Sequence, residues 1–159
     1  MAKKLSIGWF SFCCSEDSTI LFTELLNDYY QKWKKIVDFK VILPMQRREE
    51  LADLDVAFVE GAIASREQEE KLKKIRAVSK KLVAVGACAV VGLPSGQRNN
   101  FDTKTLDEIN FILTRFNYND KVKKISDFVT VDDIVPGCPM DESIFLQVIN
   151  KYLREFGII

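Results

Sequence analysis

The feature that most constrains this chain is the alternation, along its whole length, of short apolar runs with longer amphipathic ones. Residues 5–10, 40–43, 55–59, 82–86 and 128–131 form runs of four to six residues, mostly apolar, the pattern of buried strands. Between them, apolar residues recur at three- and four-residue spacing. Residues 17–36 carry Phe22, Leu25, Leu26, Tyr29, Trp33 and Ile36 on one helical face, and residues 66–79 carry Leu72, Ile75 and Val78. Residues 105–116 carry Leu106, Ile109, Leu113 and Phe116, and residues 141–156 carry Phe145, Val148, Ile149, Tyr152 and Phe156. Apolar strands separated by helices imply a parallel sheet covered on both faces. With right-handed crossovers the expected architecture is α/β, a three-layer doubly wound sandwich around a parallel five-stranded sheet. The length suits a single domain over residues 1–159, and no repeat, linker or low-complexity segment interrupts it.

Charge narrows the function. Lys plus Arg and Asp plus Glu number 23 each, so no field of one sign exists to attract nucleic acid or an anionic membrane. Lys34-Lys35, Lys73-Lys74 and Lys80-Lys81 read as solvated helix ends. Lys3-Lys4 precede an apolar stretch ending at Cys13, but the stretch is short and no small-residue cleavage box precedes the cysteine. No run approaches the roughly 20 apolar residues of a membrane span. The expected location is cytoplasmic. There is no histidine, so a metal site must be built from thiolates and carboxylates.

The cysteines are Cys13, Cys14, Cys88 and Cys138. In an open parallel sheet, functional residues gather beyond the carboxyl ends of the strands. Cys13 and Cys14 follow the first predicted strand, Cys88 the fourth, and Cys138 the fifth, so four thiols from distant parts of the chain are expected at one edge. Four thiols without histidine suit a 4Fe–4S cubane, in which each thiolate binds a different iron. Zinc is the competing metal, although adjacent cysteines reach one small ion with difficulty. The plain alternative is that free cysteines are small buried hydrophobes, which suits one cysteine better than four at one edge. Pro139 at a first helical position would put Cys138 at a helix N-terminus, where the dipole favours a thiolate. Backbone N–H groups of Gly86, Gly92 and Gly137 are placed to approach the sulfurs, with Gly92 reading more simply as a turn residue.

Three runs carry a family resemblance: Asp55-Val-Ala-Phe-Val-Glu-Gly61, Val83-Ala-Val-Gly-Ala-Cys-Ala89 and Val135-Pro-Gly-Cys-Pro139. The set resembles the small subunit of nickel–iron hydrogenases and the related 20-kDa subunit of respiratory complex I (NADH:quinone oxidoreductase). The resemblance implies a flavodoxin-like fold with one 4Fe–4S cluster, and it makes Cys88 and Cys138 ligands directly. The first motif is mixed. Hydrogenases normally show C-x-x-C near the N-terminus, whereas the tandem Cys13-Cys14 is the complex-I pattern. The resemblance further implies an electron-transfer subunit with no catalytic residue of its own, beside a hydrogenase-like large subunit, with further electron carriers on other subunits. The alternatives are a complex-I-like module without hydrogenase activity and a zinc-stabilised interaction domain. Glu16 and Glu60 are candidate carboxylates near the cluster. Glu16 reads more readily as a solvated residue at a helix start, and Glu60 equally as a structural hydrogen-bond acceptor. Part of the aromatic segment 7–14 and of the loop 90–94 is expected to face a partner, because strand alternation leaves some of its side chains outside the sheet.

Overall fold

The structure, a computed structural model, describes residues 3–42, 51 and 53–159. In chain order the elements are β1 (Leu5–Ser11), α1 (Asp17–Ile36), β2 (Val37–Ile42), β3 (Leu54–Glu60), β4 (Ile63–Ser65), α2 (Arg66–Val78), β5 (Ser79–Val85), α3 (Gly86–Val91), α4 (Thr103–Arg115), β6 (Tyr118–Lys123), β7 (Asp133–Val135) and α5 (Glu142–Glu155). Five strands form a parallel sheet in the order β2-β1-β3-β5-β7. Counting only these five, that is the 2-1-3-4-5 order of flavodoxin-like folds, as expected. The predicted second strand is observed as β2, which follows α1 without a loop; Leu43 and Pro44 lie outside the described residues.

Each sheet face has its own core, and alternation along the strands divides the side chains between them. Ile7, Trp9, Val56, Phe58, Val83 and Val85 pack beneath α1 and α5, against Phe22, Leu25, Trp33, Phe145 and Ile149. Phe10, Ala57, Val59, Leu82 and Ala84 pack on the other face against Leu72 and Ile75 of α2 and Ala89 of α3. Trp9 stacks on Phe22 with ring centroids 4.3 Å apart, and Phe145 meets Phe58 edge-on at 5.4 Å. Pairs of this kind add about 1 kcal/mol each beyond the area they bury. Ile7, Trp9 and Phe10 are wholly buried, so the expectation that this aromatic segment faces a partner does not hold for β1. Both faces of the strand are already covered. The loop after α3 fits that expectation better, with Val91 61% and Leu93 45% exposed.

Three further departures have local causes. The fifth strand is Asp133–Val135 rather than 128–131. Phe128, Val129 and Val131 pack into the second core from a loop after a short 3-10 turn, so their apolarity reflects burial without pairing. Asp132 closes the ladder instead: its N–H donates to the Leu82 carbonyl and its carboxylate accepts from the Leu82 N–H, both at 2.8 Å. The small antiparallel pair of β4 and β6 had no alternating pattern to announce it, since Val122 is the single buried residue of β6. Finally, α4 forms close to its predicted bounds, yet every residue of its apolar stripe keeps solvent exposure.

The register places the site. Ser11 pairs with Glu60, Glu60 with Val85, and Val85 with Val135. Four strands therefore end level, and the chain segments that leave them start from one row.

Candidate functional site

The segments leaving that row carry all four cysteines. After β1 the chain stays beside the segment that leaves β3: Phe12 N–H donates to the Glu60 carbonyl at 2.9 Å, and Cys13 and Ala62 exchange two backbone hydrogen bonds at 3.0 and 2.9 Å. This short bridge fixes the tandem pair. Cys88 lies in the first turn of α3, buried with Ala62, Ala64 and Val122, and Cys13 and Cys14 pack against the same cluster. Cys138 is exposed, in the turn before α5. Cys14, Cys88 and Cys138 line one small pocket, with Glu60 and Gly86 among its walls. Cys13 is not part of that lining; it stands beside the pocket through its contact with the cluster around Cys88.

Two glycines shape the pocket. Gly137 has φ of +109°, and a Cβ there would stand 2.5 Å from the Pro139 carbonyl oxygen. Gly86 has φ of +81°, and its absent Cβ leaves room for the Ser18 hydroxyl, which would otherwise lie 3.0 Å away. The Gly137 carbonyl accepts from Ala87 N–H at 2.7 Å, tying the Cys138 turn to the start of α3. Gly92 acts as a turn residue: its N–H is spent on the Cys88 carbonyl at 3.0 Å. The Pro139 expectation fails. Pro139 lies within the turn, α5 begins at Glu142 with Asp141 as its cap, and Cys138 precedes the first helical turn. The dipole effect fades beyond that turn, so it does little for this sulfur.

Glu60 is 3% exposed and its role is structural as well as positional. Its carboxylate accepts from Ser18 N–H at 3.0 Å, from Thr19 N–H at 3.1 Å and from the Thr19 hydroxyl at 2.5 Å. Trp9 Nε1–H in turn donates to Thr19 Oγ1 at 2.8 Å. Glu60 thus satisfies the first-turn donors of α1 from a different element, a task local capping residues usually perform. Glu16 occupies the cap position with φ of 62° but makes no capping bond, and its side chain is exposed. It does not line the pocket.

Two of the thiols, Cys14 and Cys138, hold their protons more tightly than a free cysteine does. Burial pushes the Cys14 thiol up to about 11; Glu60 and Cys88 push the same way, while the Ser11 hydroxyl and the Glu16 N–H oppose. Burial first, and then the neighbouring Asp17 and Cys88, push Cys138 upward too. A metal centre displaces these protons when it binds. Among the described residues, no three cysteine or carboxylate side chains lie close enough together to hold one metal ion.

Sequence reasoning missed Ser18, Thr19 and Ser95. The Ser95 hydroxyl lies 2.8 Å from the Cys13 carbonyl oxygen and 3.1 Å from Cys88 Sγ. Nothing in the sequence pairs Ser95 with Cys13, 82 positions away, or Thr19 with Glu60.

Comparison with known proteins bears on the same segments. The family model described as NADH ubiquinone oxidoreductase, 20 Kd subunit, matches residues 13–152, from the tandem cysteines into α5. The chain belongs to this family. One of the subunits of the F420-non-reducing hydrogenase of Methanothermobacter marburgensis is 26% identical over 175 residues, covering 97% of this chain and 55% of that protein. The delta subunit of sulfhydrogenase 2 from Pyrococcus furiosus is 28% identical over 145 residues, covering 86% of this chain and 55% of that one. The chain therefore spans about half the length of these two relatives. In a crystal structure of an NAD+-reducing NiFe-hydrogenase in the H2-reduced state, one chain matches with a TM-score of 0.78 at 23% identity, over 96% of this chain and 93% of that one. That likeness establishes the shared fold.

Proposed function

We propose that this chain is the electron-transfer small subunit of a hydrogenase-type oxidoreductase, holding one 4Fe–4S cluster through Cys13, Cys14, Cys88 and Cys138. The observation that carries the reading is the gathering of the cysteine-bearing segments past one level row of strand ends. Three of the thiols line a common pocket and the fourth packs beside it. The donor set fits the group: four thiols and no histidine, with an adjacent pair that reaches one small ion with difficulty. When bound, the cluster supplies one-electron transfer. The chain's own residues hold its ligands. The Cys13–Ala62 bridge fixes the tandem pair, Glu60 anchors the start of α1 at the pocket wall, and Gly137 lets the Cys138 turn close. The related hydrogenase subunits support a partner of the large-subunit kind, with further carriers beyond it. Val91 and Leu93, exposed just after Cys88, are the apolar surface offered to that partner. A cytoplasmic location belongs to the same proposal. Among the described residues no helix is long and apolar enough to cross a membrane.

A second reading is a complex-I-like module whose partner lacks a nickel site; the tandem Cys13-Cys14 favours it. Anaerobic purification of the chain with its native partner separates the two. H2-dependent reduction of a viologen dye, with two C-x-x-C pairs in the partner's sequence, is the expected result. A partner without those pairs and without H2 uptake would replace the first reading by the second.

A further inference from the structure

We propose that the Ser95 hydroxyl sets the reduction potential of the metal centre by switching its single proton between the Cys13 carbonyl and the Cys88 sulfur. The inference rests on the reading of Cys88 as a cluster ligand. Ser95 lies in the loop after α3, and its Oγ stands within hydrogen-bond distance of both acceptors, 2.8 Å from Cys13 O and 3.1 Å from Cys88 Sγ. A hydroxyl carries one proton, so it satisfies one acceptor at a time.

The loop that carries Ser95 is held firmly. Gly96 N–H donates to the Gly92 carbonyl at 2.8 Å and Gln97 N–H to the Pro94 carbonyl at 3.0 Å. The Asn99 side chain clasps β6 by donating to the Val122 carbonyl at 2.7 Å and accepting from its N–H at 2.8 Å. The clasp pins the loop to an element outside the main sheet. Ser95 therefore meets Cys88 through its own side-chain rotation, without movement of the loop.

The choice of acceptor follows charge. A hydrogen bond to an ionised sulfur is stronger than one to a neutral carbonyl. Reduction of a ligated centre adds negative charge, part of it on the thiolates, so the hydroxyl favours the reduced state more than the oxidised one. Hydrogen bonds to cluster sulfurs raise reduction potential in this way. Cys13 feels the same proton through its backbone, so one side chain links two ligand-bearing segments. Ser95 is a positioning residue, and its effect is read in a potential rather than in turnover.

The test uses the full chain purified anaerobically with its partner, as wild type, Ser95→Ala and Ser95→Thr. Iron content and an EPR-monitored redox titration are measured on each. The expected result is an unchanged iron content in all three. Ser95→Ala should shift the reduced-to-oxidised ratio at a set potential by about fivefold toward oxidised, a midpoint lower by about 40 mV at 59 mV per tenfold. Ser95→Thr, which restores a hydroxyl, should return to the wild-type midpoint. A Ser95→Ala midpoint equal to wild type overturns the inference and leaves the proposed function standing. Loss of iron from Ser95→Ala also overturns it, by showing a purely structural role. A wild-type chain that holds no iron–sulfur centre removes the proposed function itself and this inference with it.

Discussion

Glu60 offers the sharpest test of how the site is built into the fold. Its buried carboxylate accepts three hydrogen bonds from Ser18 and Thr19, residues that are themselves buried, so water cannot take its place. Glu60→Ala strands two first-turn N–H donors and a hydroxyl. Hydrogen bonds to a charged group are worth about 1.5–3 kcal/mol each. Removing the carboxylate also relieves its own desolvation, so the net loss settles at about 3 kcal/mol, a large part of the ~5–15 kcal/mol that stabilises a domain. Glu60→Gln keeps one carbonyl oxygen but turns an NH2 toward donors, for a loss of about 2 kcal/mol. Combined with Thr19→Val, it should show a coupling of about 1 kcal/mol, since the two side chains share a bond. The assay is urea denaturation of the reduced, metal-free chain followed by circular dichroism, with the m-value unchanged. A Glu60→Ala loss below about 0.5 kcal/mol would refute the assignment of Glu60 as the anchor of α1.

Gly137→Ala places a Cβ 2.5 Å from the Pro139 carbonyl oxygen at φ of +109°. It should cost about 2 kcal/mol in the same assay and lower iron retention. The raised Cys14 thiol predicts a pH dependence in the metal-free chain. A thiol whose proton is held more tightly in the folded state contributes its full stability below the ordinary value of 9.0 and loses it as pH climbs toward about 11. Denaturation midpoints should therefore fall across that window and rise back in Cys14→Ser. Val91→Ser with Leu93→Ser should leave stability within about 0.5 kcal/mol, because both side chains are exposed, while reducing capture of the large subunit in co-purification.

The architecture was legible where periodicity and burial coincide. The 20-residue helix α1 and the apolar strand β3 bury what their patterns say they should, and α1 lies on its predicted residues. Pattern reading failed where they part. Phe128, Val129 and Val131 are apolar because a loop packs on the core, whereas the edge strand β7 needs little apolar surface, and its Ile134 is half exposed. The face of α4 has the right spacing for a core helix, yet none of its residues is fully buried. At the site, the gathering of Glu60 and the cysteine-bearing segments was legible because a parallel sheet sends strand ends to one edge. Ser95 and Thr19 were not, because their partners are set by loop geometry and by contacts across 41 to 82 positions, which no local pattern records.

The central claim is that Cys13, Cys14, Cys88 and Cys138 together bind one 4Fe–4S cluster. Iron, acid-labile sulfide and zinc determined on the anaerobically purified chain, with EPR of the reduced sample, test it most directly. The account predicts about four irons and four sulfides per chain, negligible zinc and a signal from a single reduced cubane, with Ser at any of the four cysteines lowering iron content. About one zinc per chain, or full iron retention after Cys13→Ser or Cys14→Ser, would contradict it.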